Sequence, residues 1–436
     1  MTEPLLLPRA GVPDLIEDDG ALRRAIDQLA LGDGPIAVDA ERASGFRYSQ
    51  RAYLIQLFRR GGGIHLIDPI AANNPETWAL MDATFKECEW IIHASTQDLP
   101  CLRELGIHPT KLFDTELGGR IAGCERVGLG ALAESLLELQ LAKEHSAVDW
   151  SIRPLKEEWL VYAALDVDVL IDLRDAMEEL LRSRGYLEYA REDFAAILAG
   201  SSTPSPSKRD PWRKTSGMHK VRDRMTLAII RDLWAARDAY ARKIDTAPGR
   251  IFNDEALVEI ATKRPLTFDL FKKIVTRRSR ASDQPIAEWF DLYRKTLELD
   301  RESLPELRLP AVGLPPQKLW RDRNPQGYAR LTHARAAVIE RAHELGMPAE
   351  NLISPEAVRQ AMWRNPEPED GLAFIEEKLQ AAGARSWQIA LVAQSLVRPL
   401  HEIEPLPPPA PESTEGPTVG PTVGSTEEPP AEPASE

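Results

Sequence analysis

Between residues 35 and 70 the sequence carries three strand-like segments in succession, separated only by turn residues. They are "PIAVDAE" (35–41), "AYLIQLFRR" (52–60) and "IHLIDPI" (64–70), all rich in β-branched and other apolar residues. The "GGG" at 61–63 lies between two strand patterns, so we interpret it as a hairpin connection. A phosphate-binding loop would lead into a helix, and no helical pattern follows.

After residue 70 the pattern alternates between helix and strand. It predicts a helix near 75–87, a strand at 90–95, a helix from about 98 to 105 and a strand at 111–115, and helices then dominate to about residue 199. Three strands in succession followed by this alternation favour an α/β fold, a mixed sheet with helices on its faces.

The rest of the chain is almost wholly helical in pattern up to a low-complexity tail. Residues 235–261 align without gaps on residues 336–362, which indicates a duplicated helical unit whose second helix is capped by Asn253 in one copy and Ser354 in the other. The predicted domains are 1–200, a Ser/Pro-rich linker at 201–212, helical domains at 213–300 and 301–402, and a disordered acidic tail at 403–436.

The net charge of the 436-residue chain is −14, which conceals a strong asymmetry. Residues 207–300 hold 21 Lys and Arg against 14 Asp and Glu, whereas residues 401–436 hold eight Glu and no Lys or Arg. The basic middle is compatible with a nucleic-acid partner.

Three scattered cysteines, the absence of a membrane-spanning pattern and an acidic N-terminus without signal-peptide character predict a cytoplasmic protein with reduced thiols.

Acidic residues interrupt an apolar helical pattern at "EEWLVYAALDVDVLIDL" (157–173). Tyr162 and Asp166 are four residues apart, so on a helix they project from one face. Asp168 lies about 200° round the helix from Asp166, and Asp172 about 240°. The spacing therefore selects Tyr162 and Asp166 as a pair and predicts that Asp168 and Asp172 face solvent.

Three further acids stand at the ends of predicted strands. Asp39 and Glu41 share one face of the first strand, and Asp98 follows the strand at 90–95. Taken singly, Asp98 is best explained as a helix N-cap, and for Asp39 and Glu41 a solvated sheet end competes closely with a functional role. Taken together with Asp166, they suit two divalent cations, Mg²⁺ or Mn²⁺, because four close carboxylates repel one another and offer only hard oxygen ligands.

These motifs, "VDAE", "HASTQDL", "FDTELGGRIAG", "DWSIRPL" and "YAALDV", resemble the ribonuclease D family of DEDD 3′→5′ exonucleases over residues 30 to 185. Tyrosine four residues before the last aspartate marks the Tyr subclass. The helical remainder resembles HRDC modules. The resemblance implies an RNase H-like five-stranded mixed-sheet exonuclease domain followed by all-α HRDC-like domains.

The resemblance also implies residue roles. Asp39 would bridge two cations, Glu41 and Asp166 would complete the site for the ion that activates water, and Asp98 would hold the second ion. Tyr162 would orient the nucleophile. The implied activity is metal-dependent hydrolysis of 3′-terminal nucleotides of structured RNA such as tRNA precursors.

Several residues stay open between a functional and a structural role. Basic runs at 207–224 and 272–280, with Lys272, Lys273, Arg277 and Arg278, are candidate nucleic-acid contacts or solvated helical faces. Lys143, Arg153 and Trp150 could contact a phosphate or base, or only pack a loop. His93 is expected in a core or hydrogen-bonding role, His145 has no partner at ligand spacing, and Gln56 could lie near the site.

Two alternatives to an exoribonuclease remain. The same catalytic residues could act on DNA, since no residue here reads the ribose 2′-hydroxyl group. A non-catalytic nucleic-acid-binding protein is the other, and the complete acidic set argues against it.

Overall fold

The structure is a computed structural model that describes residues 2–142, 148–201, 209–277, 279, 284–309 and 313–404. Its strands are β1 (Glu3–Leu5), β2 (Leu15–Ile16), β3 (Asp33–Arg42), β4 (Ala52–Arg60), β5 (Gly63–Ile67), β6 (Glu89–Ile92), β7 (Lys111–Asp114) and β8 (Leu139–Leu141). The helices among these strands and directly after them are α1 (Asp19–Ala30), α2 (Pro75–Thr84), α3 (Leu99–Glu104), α4 (Thr115–Ile121), α5 (Leu129–Leu137), α6 (Glu157–Asp168), α7 (Leu170–Ser183) and α8 (Leu187–Ser201). We call this part, β1 to α8, the N-terminal domain.

Two helical modules follow. The middle module comprises α9 (Arg224–Lys243), α10 (Pro248–Ile251), α11 (Asp254–Lys263), α12 (Phe268–Thr276) and α13 (Ile286–Leu297). The C-terminal module comprises α14 (Trp320–Arg323), α15 (Pro325–Leu345), α16 (Ala349–Leu352), α17 (Pro355–Trp363), α18 (Leu372–Ala381) and α19 (Ser386–His401). Short 3₁₀ helices occupy Pro211–Lys214, Met218–Lys220 and Gln317–Leu319. No helix in the described ranges is both long and apolar enough to cross a bilayer.

The main sheet is mixed, as the strand pattern predicts. Its order is β2-β5-β4-β3-β6-β7. The pairs β3–β4 and β4–β5 are antiparallel, and the pairs β2–β5, β3–β6 and β6–β7 are parallel. The glycines at 61–63 form the hairpin connection between β4 and β5. Two details differ from the expected five strands: the two-residue β2 adds a sixth strand, and β1 and β8 form a separate parallel pair. Strands this short carry too few residues for a period to be read.

The internal repeat is confirmed by the helices that it aligns. Helices α10 and α11 of the middle module recur as α16 and α17, with each start shifted by 101 residues, after a long helix in each module. The predicted caps are also present, because Asn253 accepts a hydrogen bond from the Ala256 N–H group and Ser354 accepts one from the Ala357 N–H group.

The buried apolar residues of the described chain form two clusters, and these clusters do not follow the order of the domains along the sequence. One cluster of buried side chains runs from the sheet of the N-terminal domain into the C-terminal module, while the middle module has a cluster of its own. At the first boundary Tyr189 stacks on Trp387 with ring centroids 4.9 Å apart, and Arg385 lies 3.0 Å from Asp193. The two outer parts of the chain therefore share one hydrophobic core.

The middle module contacts the N-terminal domain at the segment between β3 and β4. Asp245 accepts hydrogen bonds from the Ser49 N–H group at 2.8 Å and from the Tyr53 hydroxyl group at 3.2 Å. Arg250 lies over the Phe46 ring at 4.0 Å. This segment directly follows the strand that carries Asp39 and Glu41.

Candidate active site

Three of the predicted carboxylates meet where β3 is crossed by α6. Ligand oxygens of Asp39, Glu41 and Asp166 all lie within 4.8 Å of one another. Asp39 and Glu41 alternate with the buried Val38 and Ala40 along β3, so they share the face that α6 covers. Asp166 stands on α6, which packs against β3, β4 and β5.

Asp98 lines the same cavity but lies outside that group of three. It occupies the N-cap position of α3, yet its side chain makes no capping hydrogen bond. Its carboxylate lies 3.5 Å from the Arg42 guanidinium instead. The explanation of Asp98 as a side-chain N-cap is therefore wrong, and its ion-pair partner Arg42 is a cation that the sequence analysis did not consider.

The turn that presents Asp98 is held by a residue without a predicted role. Asp114 ends β7 and is almost fully buried. It accepts hydrogen bonds from the Ala94 and Ser95 N–H groups at 3.2 and 2.8 Å, and it also caps α4. An aspartate at the end of a predicted strand, followed by Thr and Glu, is the sequence signal that could have identified Asp114 as a helix cap. His93, in the same turn, shares a 2.9 Å hydrogen bond with Thr115, which agrees with the hydrogen-bonding role expected for it.

The acids enclose a cavity of about 690 Å³. Its walls include Arg42, His93 and Gln97 beside the carboxylates, with Gly128 to Gly130 and Leu141 among its other lining residues. Its size suits a terminal nucleotide rather than a folded polymer, since ligand pockets of several hundred Å³ hold molecules of that scale.

The carboxylates have perturbed acidities. Burial, and after it the charges of Asp39, Asp166 and Asp98, raises the pKa of Glu41 well above its ordinary value. Burial and then the Asp39 charge raise the pKa of Asp98 likewise, and desolvation raises the pKa of Asp39. Each shift marks the cost of placing like charges together out of water, which a bound cation would remove.

Tyr162 projects into the cavity one helical turn before Asp166. Burial, and after it the Asp166 and Glu41 carboxylates, raises the pKa of the Tyr162 phenol. The ring packs against Trp150, with centroids 6.4 Å apart, and Trp150 is itself fully buried. The phenol therefore lies in the cavity with its ring packed on Trp150 and its pKa raised, so it can offer its O–H group as a hydrogen-bond donor.

The loop that leads into α6 is pinned from within the protein. Arg153 donates to the buried Asp68 at 2.6 Å and to the main-chain oxygens of Tyr53 and Trp150 at 2.8 and 2.7 Å. Arg153 is thus a structural residue, and the packing alternative holds for Trp150. Lys143 and His145 lie outside the described residues.

The prediction that Asp168 faces solvent is wrong. Asp168 is almost fully buried and accepts a hydrogen bond from the Arg9 N–H group at 3.0 Å. Asp172 is partly exposed and pairs with Arg9 and Arg60, both at 2.6 Å. The helix period places Asp168 away from Asp166 correctly, but it cannot show that the N-terminal segment covers that face.

The candidate nucleic-acid residues lie far along the chain in the middle module. Lys272 and Lys273 are exposed on α12, whereas Arg277 is engaged by Glu259. Arg278 lies outside the described residues. Lys272, Lys273 and Arg277 are all exposed, and of these three Arg277 is paired with an acid.

The residues present fit divalent cations on their donor chemistry. All the converging ligands are carboxylate oxygens, which Mg²⁺ and Mn²⁺ prefer, and the described part of the site brings no cysteine or histidine into the group of three. Asp39, Glu41 and Asp166 would hold one ion, and Asp98 with Asp39 would hold another.

Comparisons with known proteins agree with this geometry. Residues 13–182 match the family described as "3'-5' exonuclease", residues 226–292 match "HRDC domain" and residues 313–400 match "3' to 5' exonuclease C-terminal domain". A solved structure of a protein from Bifidobacterium adolescentis is 36% identical, with a TM-score of 0.84, and the match covers 92% of this chain and all of that one. Escherichia coli RNase D shares the fold at 24% identity, with a TM-score of 0.62, and the match covers 89% of this chain and 98% of that one.

Curated relatives carry the family name. A protein named ribonuclease D from Gluconacetobacter diazotrophicus is 32% identical over 61% of this chain and 67% of its own length. One of the same name from Acidiphilium cryptum is 31% identical over 58% of this chain and 64% of its own. The chain therefore belongs to the ribonuclease D family, and its sheet and acidic cluster form a 3′-5′ exonuclease domain.

Proposed function

We propose that the protein removes nucleotides one at a time from the 3′ ends of structured RNA, with tRNA precursors as its substrates and two divalent cations, Mg²⁺ or Mn²⁺, as its cofactors. The observation that carries the proposal is the meeting of Asp39, Glu41 and Asp166 in a cavity of nucleotide size, with Asp98 on its wall. Escherichia coli RNase D, which shares the fold, is described as an exoribonuclease involved in structured RNA processing, and this supports RNA as the substrate.

The chemistry required is the attack of water on the terminal phosphodiester bond. Two bound divalent cations would supply an activated water and stabilise negative charge on the leaving 3′ oxygen. The carboxylates of Asp39, Glu41, Asp98 and Asp166 would hold these ions, whose positive charge would offset the repulsion among the carboxylates.

Tyr162 orients the attacking water by hydrogen bonding. Burial and the neighbouring carboxylates raise the pKa of the phenol, which favours a role as a hydrogen-bond donor over a role as the general base. Arg42 stands beside Asp98 on the cavity wall and adds a positive charge near the expected position of the phosphate.

The middle module would hold the body of the substrate. Its chain segment has a net positive charge, and Lys272 and Lys273 are exposed on α12. If they neutralise phosphates, RNA affinity falls steeply as salt rises, and replacing both lysines with glutamine makes the salt dependence shallower by about one to two in slope.

The proposal is tested with RNA and DNA of the same sequence, labelled at the 5′ end. We expect a ladder of products shortened from the 3′ end of RNA with Mg²⁺, and no products with EDTA. Asp166→Asn should lower the rate by about 10³-fold while leaving the fold intact. The substitution weakens the binding of a cation that stabilises the transition state by several kcal/mol.

Three outcomes would contradict the proposal. They are full activity in Asp166→Asn, removal of nucleotides from the 5′ end instead of the 3′ end, and digestion of DNA in preference to RNA. Circular dichroism of the variant provides the control for folding, and Asp27→Asn, at an exposed position of α1, provides a matched acid-to-amide control.

A further inference from the structure

Gln56 is a fully buried amide next to the acidic cluster. It stands on β4 directly opposite Asp39 in the antiparallel β3–β4 pair. Residues opposite one another in such a pair point to the same face of the sheet, with their Cβ atoms about 5 Å apart. The Gln56 side chain therefore lies beneath α6, flanking Asp39.

The amide of Gln56 is unsatisfied. Neither its nitrogen nor its oxygen has a hydrogen-bond partner among the residues that the structure describes, although both atoms are inaccessible to solvent. A glutamine side chain can donate two hydrogen bonds and accept two. Leaving a buried polar group unpaired costs about 1–3 kcal/mol, and leucine or methionine would fill a similar volume without this cost.

The nearest chemistry that could use this amide is the carboxylate of Asp39. A carboxylate that binds a cation through one oxygen still has acceptor sites on the other, and ligating carboxylates are themselves commonly hydrogen-bonded. On the opposite side, the strand partner of Gln56 is Leu66, which has no side-chain acceptor. The geometry thus offers Gln56 an anionic partner on one side and an apolar one on the other.

We propose that Gln56 is a positioning residue that donates a hydrogen bond from its amide to Asp39 when the cluster holds its cations. This bond fixes the carboxylate in the orientation that faces both ions. Gln56 lies under the site and does not touch the substrate. The inference rests on the proposed metal-dependent function and adds a residue that none of the sequence motifs contains.

The experiment compares Gln56→Leu with the wild-type chain in Mn²⁺ binding and in thermal unfolding. Mn²⁺ affinity is measured by electron paramagnetic resonance of the free ion, without RNA. We expect Gln56→Leu to be at least as stable as the wild type in EDTA, because it removes an unpaired buried amide. We expect its Mn²⁺ affinity to fall about 10–100-fold, the usual effect of removing a hydrogen bond to a metal ligand.

RNA digestion gives the second readout. In Gln56→Leu the Mn²⁺ concentration for half-maximal rate should rise with the change in affinity, while KM for RNA at saturating Mn²⁺ stays unchanged. Gln28→Leu is the matched control, because Gln28 is an exposed amide on α1. It should match the wild type in every measurement.

The outcomes separate this inference from the function on which it rests. A wild-type chain that neither binds Mn²⁺ nor digests RNA would refute the proposed function. A wild type that does both, with Gln56→Leu equal to it in Mn²⁺ affinity, would refute the role of Gln56 alone. Destabilisation of both Gln56→Leu and Gln56→Met in EDTA would also overturn the inference, since the amide would then have a partner without metal.

Discussion

The Glu41 carboxylate suits cation binding but lowers the stability of the metal-free protein. Glu41 is 8% exposed, and its raised pKa is caused by burial and then by the charges of Asp39, Asp166 and Asp98. Because the folded-state pKa of Glu41 lies above the ordinary value of 4.5, the folded protein binds more protons than the unfolded chain at any pH between 4.5 and the folded-state pKa. Stability without metal is therefore lost as pH rises through that window.

We predict that Glu41→Gln stabilises the metal-free protein at neutral pH by roughly 0.5–2 kcal/mol, because the uncharged amide relieves the repulsion. Urea unfolding in EDTA at pH 7.5 and 5.5 measures the effect, which should shrink at the lower pH. Mg²⁺ should raise the stability of the wild type more than that of the variant. A variant that is less stable than the wild type in EDTA at pH 7.5 would show that the carboxylates are not in conflict.

Tyr162 allows a separate test, because phenylalanine keeps its packing and removes only the hydroxyl group. The ring of Tyr162 would still contact Trp150. We predict that Tyr162→Phe lowers kcat by about 10²-fold, the usual loss for one hydrogen-bond donor at a reacting centre, and thus less than Asp166→Asn.

Mn²⁺ affinity and the shape of the pH–rate profile between pH 6 and 9 should be retained in Tyr162→Phe, since the phenol does not ionise in that range. A flattened profile would instead assign it the role of a base. Tyr189→Phe, in the stack with Trp387, serves as the control.

At the scale of elements, the loop before α6 decides where Asp166 lies. Arg153 joins this loop to Asp68 after β5 and to the main chain of β4. We predict that Arg153→Ala costs about 3 kcal/mol of unfolding free energy, because it leaves the Asp68 carboxylate buried without its cation.

The same substitution should also weaken Mn²⁺ binding, since α6 loses its register against the sheet. Denaturant unfolding and Mn²⁺ titration measure the two effects. The control is Arg398→Ala, which removes a surface pair with Glu402 and should change stability by less than about 1 kcal/mol. Equal stability of both variants would contradict the structural role of Arg153.

The elements that sequence reasoning recovered are those with a readable period. The strands β3 to β7 and the pair Tyr162 and Asp166 follow from alternation and helical spacing. The errors concern contacts between distant parts of the chain. Asp168 is buried by Arg9, 159 residues away, and Asp98 is paired with Arg42 instead of its own helix. Neither contact leaves a local pattern, so neither could be predicted.

At the scale of the whole molecule, Asp245 connects the middle module to the segment that follows the catalytic strand. Its backbone has φ +46°, which glycine tolerates easily and asparagine better than most other residues. Asp245→Gly therefore removes the carboxylate without adding strain, while Asp245→Asn keeps an acceptor for Ser49 and Tyr53.

We predict that Asp245→Gly speeds amide hydrogen exchange in residues 44–51 by about 5- to 100-fold, which corresponds to the loss of 1–3 kcal/mol of hydrogen bonding. Asp245→Asn should retain most of the protection. Asp300→Gly, which alters a turn within the same module, is the control and should leave exchange in residues 44–51 unchanged. Unchanged exchange in Asp245→Gly would show that the segment is held without the middle module.

The shared core of the N-terminal domain and the C-terminal module has a consequence for synthesis on the ribosome. When residue 201 has been added, the surface around Tyr189 still lacks Trp387 and its neighbours. About 200 further residues must be translated before that surface is covered, which takes roughly 10–40 s at 5–20 residues per second. During this interval the nascent chain exposes an apolar face, and a transcript cut short after the middle module would yield a product that needs chaperones to remain unaggregated.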